Sequence, residues 1–296
     1  MRVLVLGGTG TIGRAVVRAL HDRGHHVSGL ARSATAAAAL RSAGAAPITG
    51  DITAPAGWMA AIDAADAVVQ AACGFDRDMG AVEARLLDSL LPAMAATGRT
   101  PALIYTGGCW LYGATGDRVA DEDSPFAPPS EWAWMVDHAA RVRAAPGIRA
   151  VVIHPAMVWD DAGGVLRRMR DAARDGVPIY VYGAATVRWP LVHAADLADL
   201  YLRALETGRP GATYIGAAIT GMTVGALACA IAARFGHPIA APEVRPVATA
   251  MAAFGDWARG YAIDQRLSGE RARRELGWSP RRLDPAAVAD QKSRSA

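Results

Sequence analysis

The segment MRVLVLGGTGTIG, Met1 to Gly13, decides the fold of this chain. Its apolar run Val3 to Leu6 is half β-branched and is bounded at once by glycine, which predicts a short, fully buried parallel strand. Three glycines at GxxGxxG spacing follow the strand, Gly7, Gly10 and Gly13. Apolar residues then recur at helical intervals from Ile12 to Leu20. A glycine turn between strand and helix lets a pyrophosphate approach the backbone and the helix N-terminus, so the segment predicts a dinucleotide-binding site. An ordinary glycine-rich turn is the alternative.

The composition argues against several functions. The 296 residues hold 31 Lys plus Arg against 28 Asp plus Glu. The basic residues are scattered, so neither nucleic acid nor a membrane surface is an expected partner. Glycines and threonines interrupt the uncharged stretch Pro210 to Ala233, which we interpret as strand, turn and helix rather than as a membrane span.

The cysteines indicate the cellular compartment in which the protein is expected. Cys73, Cys109 and Cys229 are widely spaced and lie in apolar surroundings, which predicts reduced thiols and no metal site. The first strand begins at residue 2 or 3, so no signal peptide is expected before it. Both features predict a cytoplasmic protein.

The first half of the chain alternates strand and helix patterns. Five further strands are predicted at His26 to Ala31, Ala46 to Thr49, Ala67 to Ala72, Ala102 to Thr106 and Arg149 to His154. Helices are predicted after Ser33, a candidate N-cap, and over Ala81 to Ala96 and Glu131 to Ala144. The alternation predicts an α/β fold, with a Rossmann doubly wound parallel sheet in a dinucleotide-binding domain of residues 1–155.

The second half predicts a smaller C-terminal substrate lobe. Residues 156–296 hold shorter strand candidates at Ile179 to Tyr182, Val192-His193, Thr213 to Ile215 and Glu243 to Arg245. Prolines and helices are mixed with them. We therefore expect a mixed α/β lobe at the mouth of the sheet, with some of its elements returning to the sheet.

The end of the second strand bears on the choice of cofactor. An NAD site commonly has an acidic residue there, whereas a 2′-phosphate calls for arginine. The segment Gly29 to Ser33 holds no acid and one arginine, Arg32, which favours NADP over NAD. A solvated Arg32 without a ligand is the alternative. Asp51 and Ile52 follow the third strand, where they are candidates to hold an adenine ring, although Asp51 is equally suited to a turn.

Several motifs together resemble the extended short-chain dehydrogenase/reductases, the NAD(P)-dependent epimerase/dehydratase-like family. They are the glycine turn, Gly50-Asp51-Ile52, IYTGGCWLYG at Ile104 to Gly113, and RWPLVHAADLA at Arg188 to Ala198. The tail Leu267 to Trp278 is similar to the helix and Gly-Trp turn that close such proteins. The resemblance spans nearly the whole chain. It implies a nicotinamide cofactor, a small-molecule substrate and a homodimer through the helices that include Ala81 to Ala96 and Glu131 to Ala144.

The glycine turn, the strand ends and this resemblance together predict the cofactor-binding residues. They are Gly7, Thr9, Gly10, Thr11, Ile12, Gly13, Arg32, Asp51, Ile52, Ala71, Ala72, Thr106, His138, Pro155, Met157 and Val158.

The catalytic motif departs from the family pattern. The resemblance implies a Ser or Thr and a Tyr-x-x-x-Lys pair, in which lysine lowers the tyrosine pKa and tyrosine exchanges a proton with the substrate. Gly108 stands at the serine position, and the best match places Trp134 and His138 at the tyrosine and lysine positions. An indole donates a hydrogen bond but is no acid near neutral pH. The only lysine is Lys292, in the tail.

Other groups near these positions are candidate proton donors or positioning groups. Those predicted as catalytic residues are His138, Trp134, Tyr112, Asp137 and Cys109. His138 has the most suitable ordinary pKa for an acid. A structural hydrogen bond to the nicotinamide ribose is its equally weighted alternative role.

The sequence leaves three alternative functions. The first is an NADP(H)-dependent reductase with an unusual proton donor. The second is a non-redox isomerase, cyclase or lyase on a retained dinucleotide scaffold, and the third is a dinucleotide-sensing binding protein without turnover.

The tryptophans suggest the class of substrate. The resemblance brings five of the eight to the substrate mouth, namely Trp110, Trp132, Trp134, Trp159 and Trp189. The predicted pocket residues are Trp110, Trp132, Trp159, Arg188 and Trp189. The tryptophans suit a flat apolar or aromatic molecule, whereas Arg188 could pair with an anionic group on a ligand. The alternatives are core packing for the aromatic rings and a structural ion pair for Arg188.

Overall fold

A seven-stranded parallel sheet forms the centre of the computed structural model, which describes residues 1–75 and 78–287. The strands of the described residues are β1 Arg2–Leu6, β2 His26–Ala31, β3 Ala46–Thr49, β4 Ala67–Gln70, β5 Ala102–Thr106, β6 Arg149–Pro155, β7 Met157–Asp160, β8 Gly163–Gly164, β9 Tyr180–Tyr182, β10 Arg188–His193, β11 Thr213–Gly216, β12 Ile219–Thr223 and β13 Glu243–Arg245. The large sheet has the order β11-β6-β5-β4-β1-β2-β3. Strand order reverses between β1 and β4, so a crevice opens at the carboxyl ends of these two strands, where ligands of such folds bind.

The predicted Rossmann sheet is confirmed. Val3 to Leu6 of β1 are at most 1% exposed, as expected for a central strand covered on both faces. The fourth strand ends at Gln70 rather than at Ala72. The Gln70 side chain takes up the backbone groups of Ala72, because its Nε2 atom donates to the Ala72 carbonyl oxygen and its Oε1 atom accepts the Ala72 N–H. The predicted strand Thr213 to Ile215 is β11, which joins the edge of the large sheet beside β6.

Helices cover both faces of the sheet. They are α1 Thr11–Asp22, α2 Ala34–Ser42, α3 Met79–Ala96, α4 Trp134–Arg143, α5 Arg167–Arg174, α6 Ala194–Thr207, α7 Val224–Arg234, α8 Val247–Phe254 and α9 Glu270–Leu276. Apolar residues of α1 and α6 pack on one face, and those of α3 and α4 on the other. Ser33 caps α2 by accepting the N–H of Ala36, as predicted. α3 begins at Met79 because Asp78 caps it, accepting the N–H of Ala81.

The C-terminal lobe contains two smaller sheets, ordered β12-β10-β7-β8 and β13-β9. The lobe is fastened to α6 through Asp196, an acidic residue in the first turn of that helix. Its Oδ2 atom accepts the backbone N–H groups of Arg281 and Arg282, at 3.0 and 2.7 Å. The indole N–H of Trp278 donates to the carbonyl oxygen of the same residue, at 2.7 Å. Asp196 is therefore a structural clamp for the end of the described chain. The boundary at residue 155 stays a prediction.

The uncharged stretch Pro210 to Ala233 contains β11, β12 and most of α7, which is the predicted succession of strand and helix. Within residues 1–75 and 78–287, no helix has both the length and the apolar character that a bilayer crossing needs. Lys292 lies outside the described residues.

Candidate functional site

The glycine turn fits a bound phosphate. Gly7 has φ +81°, and a Cβ on it would lie 2.6 Å from the Ala71 carbonyl oxygen. A Cβ on Gly13 would lie 2.1 Å from the Gly7 oxygen, because α1 packs directly on the turn. A Cβ on Gly10 would instead meet only that oxygen, at 3.5 Å, and would project into open space. Gly10 is the N-cap of α1 and has no side chain to accept the first N–H groups, so a phosphate can accept them.

A cleft of about 400 Å³ runs from this turn across the ends of β2, β3 and β4. We call it the glycine-loop cleft. Its lining residues are Gly7, Thr9, Gly10, Leu30, Arg32, Ala36, Gly50, Asp51, Ile52, Ala71, Ala72, Cys73, Gly74 and Phe75. Asp51 Oδ1 accepts the N–H and the hydroxyl of Thr53, at 2.8 and 2.9 Å, which is the turn-forming role considered above. Asp51 nevertheless lines the cleft beside Arg32 and Ile52.

A second cavity, of about 450 Å³, opens beyond the turn, where β5 and β6 end. Its lining includes Thr11, Ile12, Thr106, Gly107, Gly108, Cys109, Leu111, Met135, Pro155, Ala156, Met157 and Val158. It shares Gly10, Ala71, Ala72, Cys73 and Phe75 with the glycine-loop cleft, so the two spaces are continuous. An elongated dinucleotide can therefore reach from Arg32 to Pro155. Of the predicted cofactor residues, only Gly13 and His138 line neither space.

Five rings line this second space, which we call the aromatic cavity: Phe75, Trp110, Trp132, Trp257 and Tyr261. The Trp110 ring centroid lies 5.3 Å from that of Trp132 and 5.7 Å from that of Tyr261. The Phe75 and Trp257 rings are 4.7 Å apart. Trp257 and Tyr261 belong to the short 3₁₀ helix Asp256–Ala262, which sequence reasoning did not assign to the pocket.

Three predicted pocket residues do not line the aromatic cavity. Trp159 is buried on β7 against the ring of His193. Trp189 is buried on β10, and its indole N–H donates to the carbonyl oxygen of Tyr261 at 3.0 Å. Arg188 pairs with Asp264 at 2.6 Å and with Asp117 at 3.2 Å. For these three residues the structure corresponds to the alternatives of core packing and a structural ion pair.

The structure also corrects the placement of Trp134. Its ring packs on Gly80 of α3, where an added Cβ would lie 2.9 Å from Trp134 Cγ, and its N–H donates to the carbonyl oxygen of Glu131. The next residue, Met135, faces the cavity instead. Its sulfur lies 3.6 Å from the place of a Cβ on Gly108. Because Met135 and Gly108 lack an acidic proton, this wall offers none to a substrate.

His138 belongs to a buried polar network beneath the aromatic cavity. Its Nδ1 atom lies 3.3 Å from Oε1 of Glu83 on α3, and the phenol of Tyr105 donates to the same oxygen. Gln70 Nε2 donates to Oε2 at 3.4 Å. Burial, reinforced by the nearby Glu83 carboxylate, raises the pKa of Tyr105 well above its ordinary value, so the phenol keeps its proton and donates.

Glu83 lines the aromatic cavity although it is only 6% exposed. Sequence reasoning missed it. The available signal was its spacing with Leu86, Leu87 and Leu90, which places a carboxylate on the buried face of α3. Lys, Glu, Arg and Asp are rarely buried without partners, so an acid in such a register indicates a partner or a function.

The other predicted proton donors are either away from the aromatic cavity or weakened as acids by burial. Asp137 is exposed on α4 and does not line the cavity. Burial raises the pKa of Tyr112 well above its ordinary value, and its hydroxyl has no hydrogen-bond partner within the described part of the chain. Cys109 lines the cavity, and burial raises its pKa to about 12. Both residues are therefore weaker acids than a free phenol or thiol. Among the described residues, no cluster of three or more metal-ligating side chains occurs.

His154 holds the loop after β5, and it gives stability a pH dependence. Its Nδ1 atom accepts the N–H of Gly108 at 3.3 Å, and complete burial lowers its pKa from 6.5 to about 4. Below pH 6.5 the unfolded chain binds a proton that the folded chain excludes, so stability is full above this pH and is lost as pH falls towards 4. Replacing His154 by Gln removes this contribution while keeping an acceptor. We expect the unfolding free energy of the wild type, minus that of the variant, to fall by about 2 kcal/mol between about pH 8 and pH 5. Urea unfolding at several pH values measures it, and a difference independent of pH would contradict it.

Comparison with known proteins places this geometry in a family. The family model of the NAD dependent epimerase/dehydratase family matches residues 3–216. An uncharacterized protein of Schizosaccharomyces pombe is 28% identical over 287 residues, which cover 95% of each chain. The dTDP-6-deoxy-L-talose 4-dehydrogenase (NAD(P)(+)) of Kitasatospora kifunensis is 30% identical over 315 residues, covering 98% of this chain and 94% of the relative. The solved structure of human epimerase family protein SDR39U1 (isoform 2) with NADPH is 25% identical, with a TM-score of 0.73, and covers 97% of this chain and 96% of that one.

These matches extend over the glycine turn, the strand ends and the C-terminal lobe, and they confirm the resemblance drawn from the motifs. The chain belongs to the NAD-dependent epimerase/dehydratase family.

Proposed function

We propose that this protein is an NADP(H)-dependent reductase that acts on the C=O or C=N bond of a flat, apolar or aromatic compound. One observation carries the proposal: the aromatic cavity is continuous with the glycine-loop cleft and opens where β5 and β6 end. A substrate stacked among the rings would then lie against the reactive end of a dinucleotide in the cleft.

The residues present fit this cofactor. The place that a Cβ on Gly10 would fill is open to a pyrophosphate, and Arg32 lines the cleft where a 2′-phosphate would lie. Thr106 and the segment Pro155 to Val158 would flank the nicotinamide, which supplies or accepts a hydride when the dinucleotide is bound. The presence of NADPH in the human SDR39U1 structure supports the choice of a phosphorylated dinucleotide.

This chain would orient the substrate rather than donate a proton to it from a tyrosine. Trp110 and Trp132 offer apolar surface, and Thr106 Oγ1, which lies 2.7 Å from the phenol oxygen of Tyr201, is a polar group of the lining. Since Met135 and Gly108 occupy the wall where an acid is expected, carbonyl reduction would draw its proton from water. The same feature supports a second candidate function, a binding protein that senses NADP(H) without turnover.

The proposal is tested by incubating the protein with NADPH and a panel of aromatic ketones, aldehydes and imines. The loss of nicotinamide absorbance is followed together with the reduced product. We expect at least one compound to consume NADPH in equal amount to the product formed. Substrate conversion without NADPH loss would replace the reductase by a non-redox enzyme, and tight NADPH binding without any conversion would favour the sensor.

Arg32 is expected to set the preference between the two dinucleotides. Replacing it by Ser removes a charge-assisted bond to the 2′-phosphate, which is worth roughly 1.5–3 kcal/mol, so NADPH binding should weaken by about 10- to 100-fold. NADH binding should change by less than about twofold, because NADH lacks that phosphate. Titrations followed by tryptophan quenching measure both affinities. The matched control is Arg41→Ser, an exposed arginine of α2 that does not line the cleft. Equal weakening of both dinucleotides would contradict the assignment.

A further inference from the structure

The aromatic cavity has an unusual charge distribution. Among the described residues that line it, Glu83 alone carries a formal charge, and none is Lys, Arg or His. His138 lies 3.3 Å from the Glu83 carboxylate but does not itself line the cavity. A ligand in this space therefore meets a carboxylate and no cation.

The aromatic rings, like the Glu83 carboxylate, contribute negative charge density. Aromatic faces carry negative charge density, and cations within about 6 Å of a ring centroid are attracted to them. Trp110, Trp132 and Trp257 belong to one connected group, with centroids 5.3 Å apart for the first pair and 6.3 Å apart for Trp110 and Trp257. Phe75 and Tyr261 extend this group, at 4.7 and 5.7 Å from Trp257. The lining therefore combines five rings with one carboxylate, a combination that favours organic cations.

We propose that the aromatic cavity selects a cationic substrate, an aromatic or benzo-fused iminium compound, as its hydride acceptor. This inference rests on the proposed reductase function and names its substrate class. In the step, the C–H bond of NADPH breaks and a C–H bond forms at the iminium carbon. The π pair of the C=N⁺ bond becomes the lone pair of a neutral amine, and NADP⁺ is left. No proton is needed, so the step balances without the missing tyrosine.

A carbonyl substrate fits this cavity less well. Hydride addition to a ketone develops an alkoxide, which needs hydrogen-bond donors or a proton as it forms. Here the alkoxide would develop in a space whose only formal charge, among the described lining residues, is the negative charge of Glu83. The Thr106 hydroxyl is a donor in the lining, but Met135 and Gly108 supply no acid, and burial makes the Cys109 thiol a weaker acid by raising its pKa to about 12. An iminium ion enters the same space with a favourable charge and leaves without a proton transfer.

Glu83 is built to hold its position. The phenol of Tyr105 and the amide of Gln70 bind its two oxygens, and His138 lies beside the first of them. These partners fix the rotamer of the carboxylate, so that it contributes a fixed charge to the cavity and does not swing towards solvent. Glu83 therefore interacts with the charge of the substrate from a fixed position.

The first test is binding to the protein saturated with NADPH, using a matched pair that cannot accept a hydride. Phenyltrimethylammonium and tert-butylbenzene have the same shape and differ in charge. We expect the ammonium ion to bind about 30-fold tighter, as measured by tryptophan quenching. Equal affinities, or tighter binding of the neutral compound, would overturn the inference. Displacement of NADPH by the ammonium ion would also overturn it, because the site would then be that of the nicotinamide.

One substitution tests the charge of the cavity, a second tests its rings, and a third is the control. Glu83→Gln should reduce the preference for the ammonium ion by about tenfold while NADPH binding is kept. Phe75 is 51% exposed, so Phe75→Leu removes one aromatic face with little risk to folding. It should weaken ammonium binding about threefold and leave tert-butylbenzene unchanged. The matched control is Phe126→Leu, at a partly exposed ring that does not line the cavity. A change in Phe126→Leu equal to that in Phe75→Leu would contradict the role of the rings.

The second test is turnover. N-methyl-dihydroisoquinolinium, an iminium ion, is compared with tetralone, a bicyclic ketone of similar shape, at saturating NADPH. We expect kcat/KM to be at least about 100-fold higher for the iminium ion. Equal or faster reduction of tetralone would overturn the substrate class and keep the reductase. Tight ammonium binding without reduction of either compound would keep the cation site and reject the reductase.

Discussion

Replacing Gly10 by alanine is expected to weaken NADPH binding by about 100-fold or more while the protein stays folded. The added Cβ meets nothing of the protein closer than the Gly7 oxygen at 3.5 Å, which is an ordinary contact. It projects instead into the space where the glycine-loop cleft and the aromatic cavity meet. A pyrophosphate kept away from the first N–H groups of α1 loses charge-assisted bonds worth roughly 1.5–3 kcal/mol each, and two such bonds account for the expected factor.

The measurement is a pair of titrations with NADPH and NADH, together with urea unfolding of the variant without nucleotide. The binding of NADPH and the binding of NADH should weaken to the same extent, because both dinucleotides carry the pyrophosphate. This distinguishes Gly10→Ala from Arg32→Ser, which should affect only NADPH. The matched control is Gly57→Ala, where nothing lies within 4 Å of the added Cβ. If Gly10→Ala binds NADPH like the control, then the phosphates do not lie at this turn.

Much of the fold follows from local pattern. β2, β3 and β5 occur at the predicted bounds because each is a short run of strand-forming residues between turn residues. The edge strand β11 was harder to place. Its pairing with β6 joins Thr213 to Val152, a register that depends on how the chain returns after α6 and on no local signal. Sequence-based reasoning assigns such a strand to a lobe more easily than to a sheet.

The candidate site likewise has one part that the sequence spacing predicts and one part that it does not. The glycine turn, Arg32 and the strand ends are fixed by their place at the carboxyl edge of a parallel sheet, so the spacing alone predicts that they lie together. The aromatic residues are not fixed by spacing. Trp257 and Tyr261 reach the cavity from a 3₁₀ helix more than a hundred residues after β6, whereas Trp159 and Trp189 lie on strands of the lobe and face its core.

A shift of one residue accounts for the incorrect placement of Trp134. Successive residues of a helix point about 100° apart, so whether position 134 or position 135 faces the cavity depends on where α4 begins. The 3₁₀ turn Ser130–Trp132 precedes the helix and sets this phase, and the YxxxK spacing does not reveal it. The same phase turns His138 towards Glu83, so its partner could be identified only from the packing of α3 on α4.

The second large effect is expected at Gly13, where alanine should reduce the unfolding free energy by about 3 kcal/mol or more. A Cβ on Gly13 would lie 2.1 Å from the Gly7 oxygen, 2.7 Å from the Gly7 carbonyl carbon and 2.9 Å from Gly8 Cα. All three are backbone atoms of the turn, so no side chain can rotate away, and α1 must separate from the end of β1. Helix propensity alone would favour the variant by about 1 kcal/mol, because alanine is the better helix former. A net loss would therefore isolate the steric contact.

Urea unfolding measures this effect as a fall in the midpoint at unchanged slope. NADPH binding should be lost as well, because the turn that positions Gly10 is displaced along with α1. The two glycine variants can therefore be distinguished. Gly10→Ala should lose NADPH binding at unchanged stability, whereas Gly13→Ala should lose both stability and NADPH binding. Gly57→Ala again serves as the control, since it adds a methyl group without a contact. A Gly13→Ala protein more stable than the wild type would mean that the turn can move away from the helix, and the close packing of α1 on β1 would then not be what requires glycine here.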